Sequence, residues 1–170
     1  LLGETHQELG ASELSYMLAE ETGGGIGNDV PQIDTTRNLT LYRALTSAMS
    51  KGLVRSAHDC SDGGLATAVA ECCFGCDGAT TINLDGLVTD NTDLWAVMFG
   101  ESLGRILVSV KPENASEFES AMAGNAVALI GTVGDKKTLQ FELEGEPVLK
   151  APLSKLLHSW KDTLNMGGEH

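Results

Sequence analysis

Three short stretches of this sequence carry side chains that could handle a phosphate or a metal ion. The first is Ala57-His58-Asp59-Cys60-Ser61-Asp62-Gly63-Gly64-Leu65. A strand pattern ends there and a helix pattern begins. The first N–H groups of a helix lack intrahelical partners and carry the positive end of its dipole. Glycines beside them let a phosphate or another backbone approach closely. His58, Ser61, Asp62, Gly63 and Gly64 are the candidate phosphate contacts, and Asp59 offers the hard oxygen that Mg²⁺ prefers. The plain alternative is structural: Ser61 or Asp62 is an N-cap, and the glycines serve close packing. Residue types alone leave both readings open.

The second stretch is Phe99-Gly100-Glu101-Ser102-Leu103-Gly104-Arg105. Glu101 could reach a metal, while Ser102 and Arg105 could hold a phosphate. Against this stands a turn with one surface ion pair, worth about 0–1 kcal/mol. The third stretch runs from Gly3 to Glu13, where Ser12 can cap a helix. His6 has no evident partner there and reads as a surface histidine. No stretch resembles a nucleophile elbow, so no catalytic residue is assigned.

Two tempting features are set aside. Gly23-Gly24-Gly25-Ile26-Gly27 misses the G-x-G-x-x-G spacing, follows a helix pattern and has no Lys-Ser/Thr after it. It reads as a connector. Cys72, Cys73 and Cys76 crowd one helix, with Cys60 upstream. Structural zinc sites usually draw paired ligands from two separated turns. Small buried thiols in a reducing compartment are the better reading.

The elements that must position these stretches follow from periodicity. Ser12 to Glu21 reads as a helix with Leu14, Met17 and Leu18 on one face. Asp34 or Thr35 caps a second helix, whose stripe is Leu39, Tyr42, Leu45, Ala48 and Met49. Strands are expected at Leu53–Asp59, Ala79–Leu84, Arg105–Val110 and Ala126–Val133, with Leu139–Leu143 as an exposed hairpin partner. Helices are expected from Leu65, over Asp90–Phe99, from Pro112 to about Ala123, and from Pro152, with residues 165–170 frayed. The fold class is α+β: a mixed, largely antiparallel sheet with packed helices.

Composition bounds the function. The chain has 170 residues, 42% of them hydrophobic, which supports one sizeable domain. Acidic residues outnumber basic ones 24 to 11, and a net charge of −13 disfavours nucleic acids and anionic membranes. Aromatics at 5% leave little base-stacking surface. No apolar run is long enough to span a bilayer.

Together, in order and spacing, the three stretches resemble one family. Leu1-Leu2-Gly3-Glu4-Thr5 through Leu9-Gly10-Ala11-Ser12-Glu13 is similar to the opening of the second carboxy-terminal domain of phosphoribosylformylglycinamidine synthases. His58 to Leu65 resembles that family's H-D-x-S-[DE]-G-G-L segment, and Phe99 to Arg105 its F-x-E-S-x-G-R segment. Ala11 stands where the family usually has a second glycine, and its methyl group is expected to disturb close backbone approach.

The resemblance implies a fold like the carboxy-terminal domain of aminoimidazole ribonucleotide synthetase, over residues 1–164. It implies part of a cytoplasmic ligase using ATP and Mg²⁺ to convert formylglycinamide ribonucleotide to its amidine. Ammonia would come from a glutaminase subunit or domain. The family's catalytic histidines lie in amino-terminal domains, which this sequence lacks, so the chain is expected to be inactive alone. It is then expected to expose an apolar face or open sheet where those domains dock, and a homodimer through that face is possible. The alternatives are a stand-alone module binding a phosphorylated metabolite, or a relative from hydrogenase maturation, selenophosphate synthesis or thiamine phosphate kinase families.

Overall fold

A computed structural model of the chain describes residues 1–76, 78 and 80–162, without the side chain of Cys76. The strand start expected at Ala79, the domain end at 164 and the frayed tail at 165–170 lie outside the described residues. In chain order the elements are α1 (Glu13–Thr22), α2 (Thr35–Ser50), β1 (Val54–Asp59), α3 (Gly64–Cys76), β2 (Thr81–Asn83) and α4 (Leu94–Phe99). Then come β3 (Ile106–Val110), a 3-10 turn (Pro112–Asn114), α5 (Ala115–Ala121), β4 (Thr138–Leu143), β5 (Glu146–Pro152) and α6 (Leu153–Asp162). These elements are mixed sheets with packed helices, as the α+β reading expected.

The chain forms two compact units, and it passes from one to the other within α3, between Ala68 and Val69. The first unit comprises Leu1–Ala68 and Gly86–Leu129. Its sheet pairs β1 antiparallel with β3, Val54 opposite Val110 and Asp59 opposite Ile106. Leu2 joins the far side of β3 through reciprocal bonds with Ile106, 2.8 and 3.1 Å. That leaves β1 as an edge strand among the described residues, with Arg55, Ser56 and Ala57 exposed.

The core of this unit joins Leu2 and Leu53 to Leu41, Leu45 and Ala48 of α2 and to Phe118 and Met122 around α5. The expected α2 stripe was partly misplaced: Leu39, Tyr42 and Met49 are exposed, while Leu41 is buried. Apolar residues surround more than one face of α2, so periodicity alone permits several stripes. Packing selects the one at i, i+4 and i+7. Asp34 caps α2, accepting from the N–H groups of Thr36 and Arg37 at 3.1 and 3.0 Å. Ser12 caps α1, as expected. Yet α1 buries none of its residues, and Tyr16, Met17 and Leu18 are 48%, 60% and 50% exposed. An apolar patch of this kind marks an interaction surface more often than a solvent face.

The second unit comprises Val69–Asp85 and the chain from Ile130 onward. Here β2 runs parallel to β4, and β4 runs antiparallel to β5. Leu139 and Phe141 alternate into the core of this unit beside Ile82. Sequence reading left β5 unassigned. Glu144 and Gly145 both have positive φ, 54° and 80°, which suits a two-residue hairpin. Asp85 Oδ1 steadies that turn by accepting from Glu144 N at 2.7 Å.

The strand expected at Ala126–Val133 is not a continuous ladder. Val127 bridges Leu2, and Gly131 bridges Ile82. The segment changes partner at the point where one unit ends and the next begins, so neither pairing extends. Pro152 closes β5 instead of opening the helix, and Leu153 begins α6. Trp160 of α6 lies 5.8 Å from the Phe74 ring and donates to Glu71 Oε1 at 3.2 Å.

Met122 is fully buried in the first unit. We expect Met122→Ala to lower stability by about 2–5 kcal/mol, through lost transfer energy plus the cavity left behind. Urea denaturation followed by far-ultraviolet circular dichroism checks this.

Candidate functional site

The three stretches singled out in the sequence meet in the first unit, around the loop Phe99–Arg105. Arg105 is the centre of that meeting, and it is only 1% exposed. Its Nη1 donates to Val97 O at 3.0 Å and to Thr5 Oγ1 at 3.2 Å, and its Nη2 donates to Gly100 O. The last carbonyls of a helix lack intrahelical donors and form the negative end of its dipole, so a cation there is favoured. Burial lowers the Arg105 pKa from its ordinary value, while the charges of Cys60, Glu101 and Glu8 oppose that shift. Arg105 is therefore an interior residue and not half of a surface ion pair, although Leu103 within the turn is exposed.

Ser102 and Glu101 also meet partners within this unit. Ser102 is fully buried, and its Oγ accepts from His6 N at 3.1 Å. Glu101 Oε1 accepts from Gly63 N and from Glu13 N, both at 2.9 Å. Two glycines allow the backbone to close on this loop. A Cβ on Gly64 would lie 2.9 Å from the Phe99 carbonyl carbon, and one on Gly3 would lie 2.6 Å from Gly104 O.

The acidic and hydroxyl side chains of the His58–Gly64 stretch are more exposed. Asp59, Ser61 and Asp62 are exposed, and His58 and Gly63 are half-buried. The Ser61 hydroxyl donates to Asp59 Oδ2, so it is directed to its neighbour and not to the start of α3. His58 Nδ1 shares a hydrogen bond of 2.7 Å with Asp59 O. Gly64 N donates to Ser61 O at 3.0 Å, and Gly63 and Gly64 take positive φ of 75° and 66°. The Ser61 hydrogen bond foremost, then a backbone bond, hold the Asp59 carboxyl below its ordinary pKa against desolvation, with a lesser contribution from the charge of His58.

Among the described residues, no group of three or more His, Cys, Asp or Glu is arranged to hold a metal. Cys60, Cys72 and Cys73 form no disulfide, and Cys60 and Cys73 are buried. Asp59 and Asp62 present exposed carboxylates, whereas the carboxylate of Glu101 lies against backbone N–H groups.

The Gly3–Glu13 stretch makes the third wall. Ala11 takes a left-handed φ of 56°, and its N–H donates to Ile26 O at 2.8 Å. Gly10 N donates to Asp29 O at 3.0 Å, and a Cβ on Gly10 would lie 2.6 Å from Asp29 N. The connector thus returns to pack on Gly10 and Ala11. His6 has a partner that sequence reading missed: its Nε2 lies 3.6 Å from Glu4 Oε2, which also meets Arg37 at 2.5 Å. These residues line a cavity of about 700 Å³ with Asp34, Asn38 and Asn125. Gln7 and Asp93 exchange two hydrogen bonds of 2.9 Å. Asp93, which also caps α4, was not singled out by the sequence, because its Gln7 partner is remote along the chain.

The edge strand, the paired-glycine turn and the buried arginine loop all lie within residues 1–144, which match a carboxy-terminal domain of the AIR synthase type. The chain belongs to the family of AIR synthase related proteins, C-terminal domain, which matches residues 1–144. It is 37% identical over 165 residues to phosphoribosylformylglycinamidine synthase subunit PurL of Lactobacillus helveticus (strain DPC 4571). That match covers 96% of this chain but only 20% of the relative, so the chain spans about one-fifth of that protein's length. Thermotoga maritima PurL complexed with FGAR shares the fold, with a TM-score of 0.75, 20% identity, and coverage of 91% of this chain and 26% of that one. Thermotoga maritima PurL complexed with ATP has a TM-score of 0.68 and 18% identity, covering 91% and 24%.

Two expectations follow. An alanine in the left-handed region is disfavoured by about 1–2 kcal/mol, part of which a glycine returns as unfolded-state entropy. Ala11→Gly should therefore stabilise the chain by about 1 kcal/mol, read from its denaturation midpoint. For Asp59, a depressed folded pKa stabilises the fold above the ordinary carboxylate pKa, and that contribution is lost as pH falls through the depressed value. Ser61→Ala should raise the Asp59 pKa toward its ordinary value and shrink that acid-side contribution. Carboxyl-detected NMR titration measures it directly.

Proposed function

We propose that this chain is the carboxy-terminal part of phosphoribosylformylglycinamidine synthase, an ATP-dependent ligase of purine biosynthesis, and that it is inactive alone. The observation that carries this reading is 37% identity across 96% of the chain to a subunit of that enzyme. The reaction is amidation of formylglycinamide ribonucleotide: ATP activates the amide oxygen and ammonia displaces it. The amino-terminal domains, a glutaminase supplying ammonia, and the ribonucleotide are the proposed partners. The exposed Tyr16, Met17 and Leu18 of α1 and the open edge of β1 favour a docked partner, either those domains or a second copy. No helix among the described residues is long and apolar enough to cross a membrane, and the proposed location is the cytoplasm.

Within this reading the loop His58–Gly64 is the wall that meets the ligand. His58, Ser61 and Asp62 are the proposed side-chain contacts, and the backbone at Gly63 and Gly64 lets a phosphate approach. Ser102, Glu101 and Arg105 support the loop from behind. Asp59 and Asp62 are too few for a self-contained cation site. They suit Mg²⁺ shared with phosphates and other domains, because Mg²⁺ is commonly held by one or two carboxylates plus substrate oxygens. Bound there, Mg²⁺ would neutralise phosphate charge.

In the full-length synthase, Asp59→Asn should lower kcat/KM at least about tenfold, or ~1.4 kcal/mol of transition-state stabilisation. Unchanged kcat/KM would remove the loop from the site. Calorimetry of the isolated chain should show no heat with Mg-ATP or the ribonucleotide. Tight binding by the chain alone would favour the stand-alone metabolite-binding module instead.

A further inference from the structure

Glu101 is the residue whose sequence reading and whose geometry differ most in kind. A carboxylate beside a phosphate loop suggests a metal ligand. In the structure its Oε1 accepts from two backbone N–H groups, Gly63 and Glu13, each at 2.9 Å. A carboxylate oxygen has two lone-pair sites, and both are engaged. The two donors belong to different elements: Gly63 ends the exposed loop before α3, and Glu13 is the first residue of α1. Each is a helix-entry N–H with no partner inside its own helix. One anion therefore satisfies both.

We propose that Glu101 is a positioning residue, whose single carboxylate fixes the Gly63 end of the loop Asp59–Gly64 against the first turn of α1. This inference rests on the loop being the ligand wall proposed above. It adds that the wall's shape is set from behind, by a side chain that does not touch the ligand. Three further observations hold Glu101 in place. Arg105 pins the carbonyls of Val97 and Gly100 on one side of it. Buried Ser102, on the other side, accepts from His6 N at 3.1 Å. Gly64 packs directly on the Phe99 carbonyl, so the two backbones have no side chain between them. With its flanks fixed, the Glu101 carboxylate has little freedom to swing outward to a cation. Charge-assisted bonds from two backbone donors are also stronger than neutral ones.

The geometry makes a distinction that a metal ligand would not. Glutamine keeps an acceptor oxygen in the same place without the charge. Alanine removes the acceptor, and aspartate is one methylene too short to reach both donors. The test has two parts. First, amide hydrogen exchange is measured by NMR on this chain and its variants. Glu101→Ala should speed exchange of Gly63 and Glu13 together, at least about tenfold, while Glu101→Gln keeps both protected. If Glu101→Ala does not fold, Glu101→Asp carries the same prediction with a smaller change. Unchanged exchange at Gly63 in the folded variant overturns the brace, whatever the chain's function.

Second, steady-state kinetics are measured on the full-length synthase with ATP and the ribonucleotide. Glu101→Ala should raise KM for one of the two substrates about tenfold with a smaller change in kcat, and Glu101→Gln should restore it. If Glu101→Gln keeps both amides protected but is as impaired as Glu101→Ala, the charge itself meets the ligand or its metal, and the positioning role fails. A wild-type full-length protein without ligase activity would instead refute the functional reading and leave the first part standing.

Discussion

A guanidinium buried to 1% exposure is a demanding object, and the site rests on how Arg105 is accommodated. Its charge cannot be screened by water, so fixed dipoles must answer it. They do so at its two terminal nitrogens, through the carbonyls of Val97 and Gly100 and the hydroxyl of Thr5, while Nε is buried with no hydrogen-bond partner among the described residues. Those partners come from the end of α4 and from the amino-terminal stretch. Accommodating one charge therefore fixes two parts of the chain against each other. Removing one partner would leave part of a buried cation unanswered, which costs far more than a surface contact.

The loop so fixed becomes a template for its surroundings. Gly64 closes on the loop's backbone near Phe99 and Gly3 closes on it at Gly104, because a side chain at either position would collide with it. Glu101 then reaches two helix entries, and Ser102 holds His6. The result separates two kinds of polar residue. Glu101, Ser102 and Arg105 build the support. His58, Asp59, Ser61 and Asp62 are carried outward on the turn between β1 and α3. A rigid loop presented by packed elements is a common way to build a site, since the support limits how far the contacts can wander. The same unit exposes apolar residues of α1, so among the described residues its surface carries both a polar loop and an exposed apolar helix face.

Local signals were read well where the physics is local. Asp34 and Ser12 cap their helices because short polar side chains answer the N–H groups two or three residues ahead. The run Ile106–Val110 forms a strand because nearly all of it is apolar and branched. The α2 stripe was only half right, since Leu39, Tyr42 and Met49 fit helical spacing as well as Leu41 does. The hairpin β4–β5 was missed because its turn uses Glu144 in a left-handed conformation, where glycine, asparagine or aspartate is the usual signal. The segment 126–133 failed as a strand because strand propensity says nothing about a change of partner midway.

The sequence by itself determined the caps at Ser12 and Asp34, carried by residues within a few positions of one another, and the family resemblance, carried by the order and spacing of three stretches. It also drew attention to Ala11, for its methyl group, and the structure adds that Ala11 takes the left-handed conformation that glycine adopts freely. Only the tertiary structure decided which way the charged residues of the three stretches face. Glu101 meets Gly63 from 38 residues away, and Arg105 meets Thr5 from 100. No local pattern encodes such a meeting. It exists because the fold brings the end of α4, the start of β3 and the amino-terminal stretch together, where the cation meets two carbonyls and the Thr5 hydroxyl and the Glu101 carboxylate meets two N–H groups.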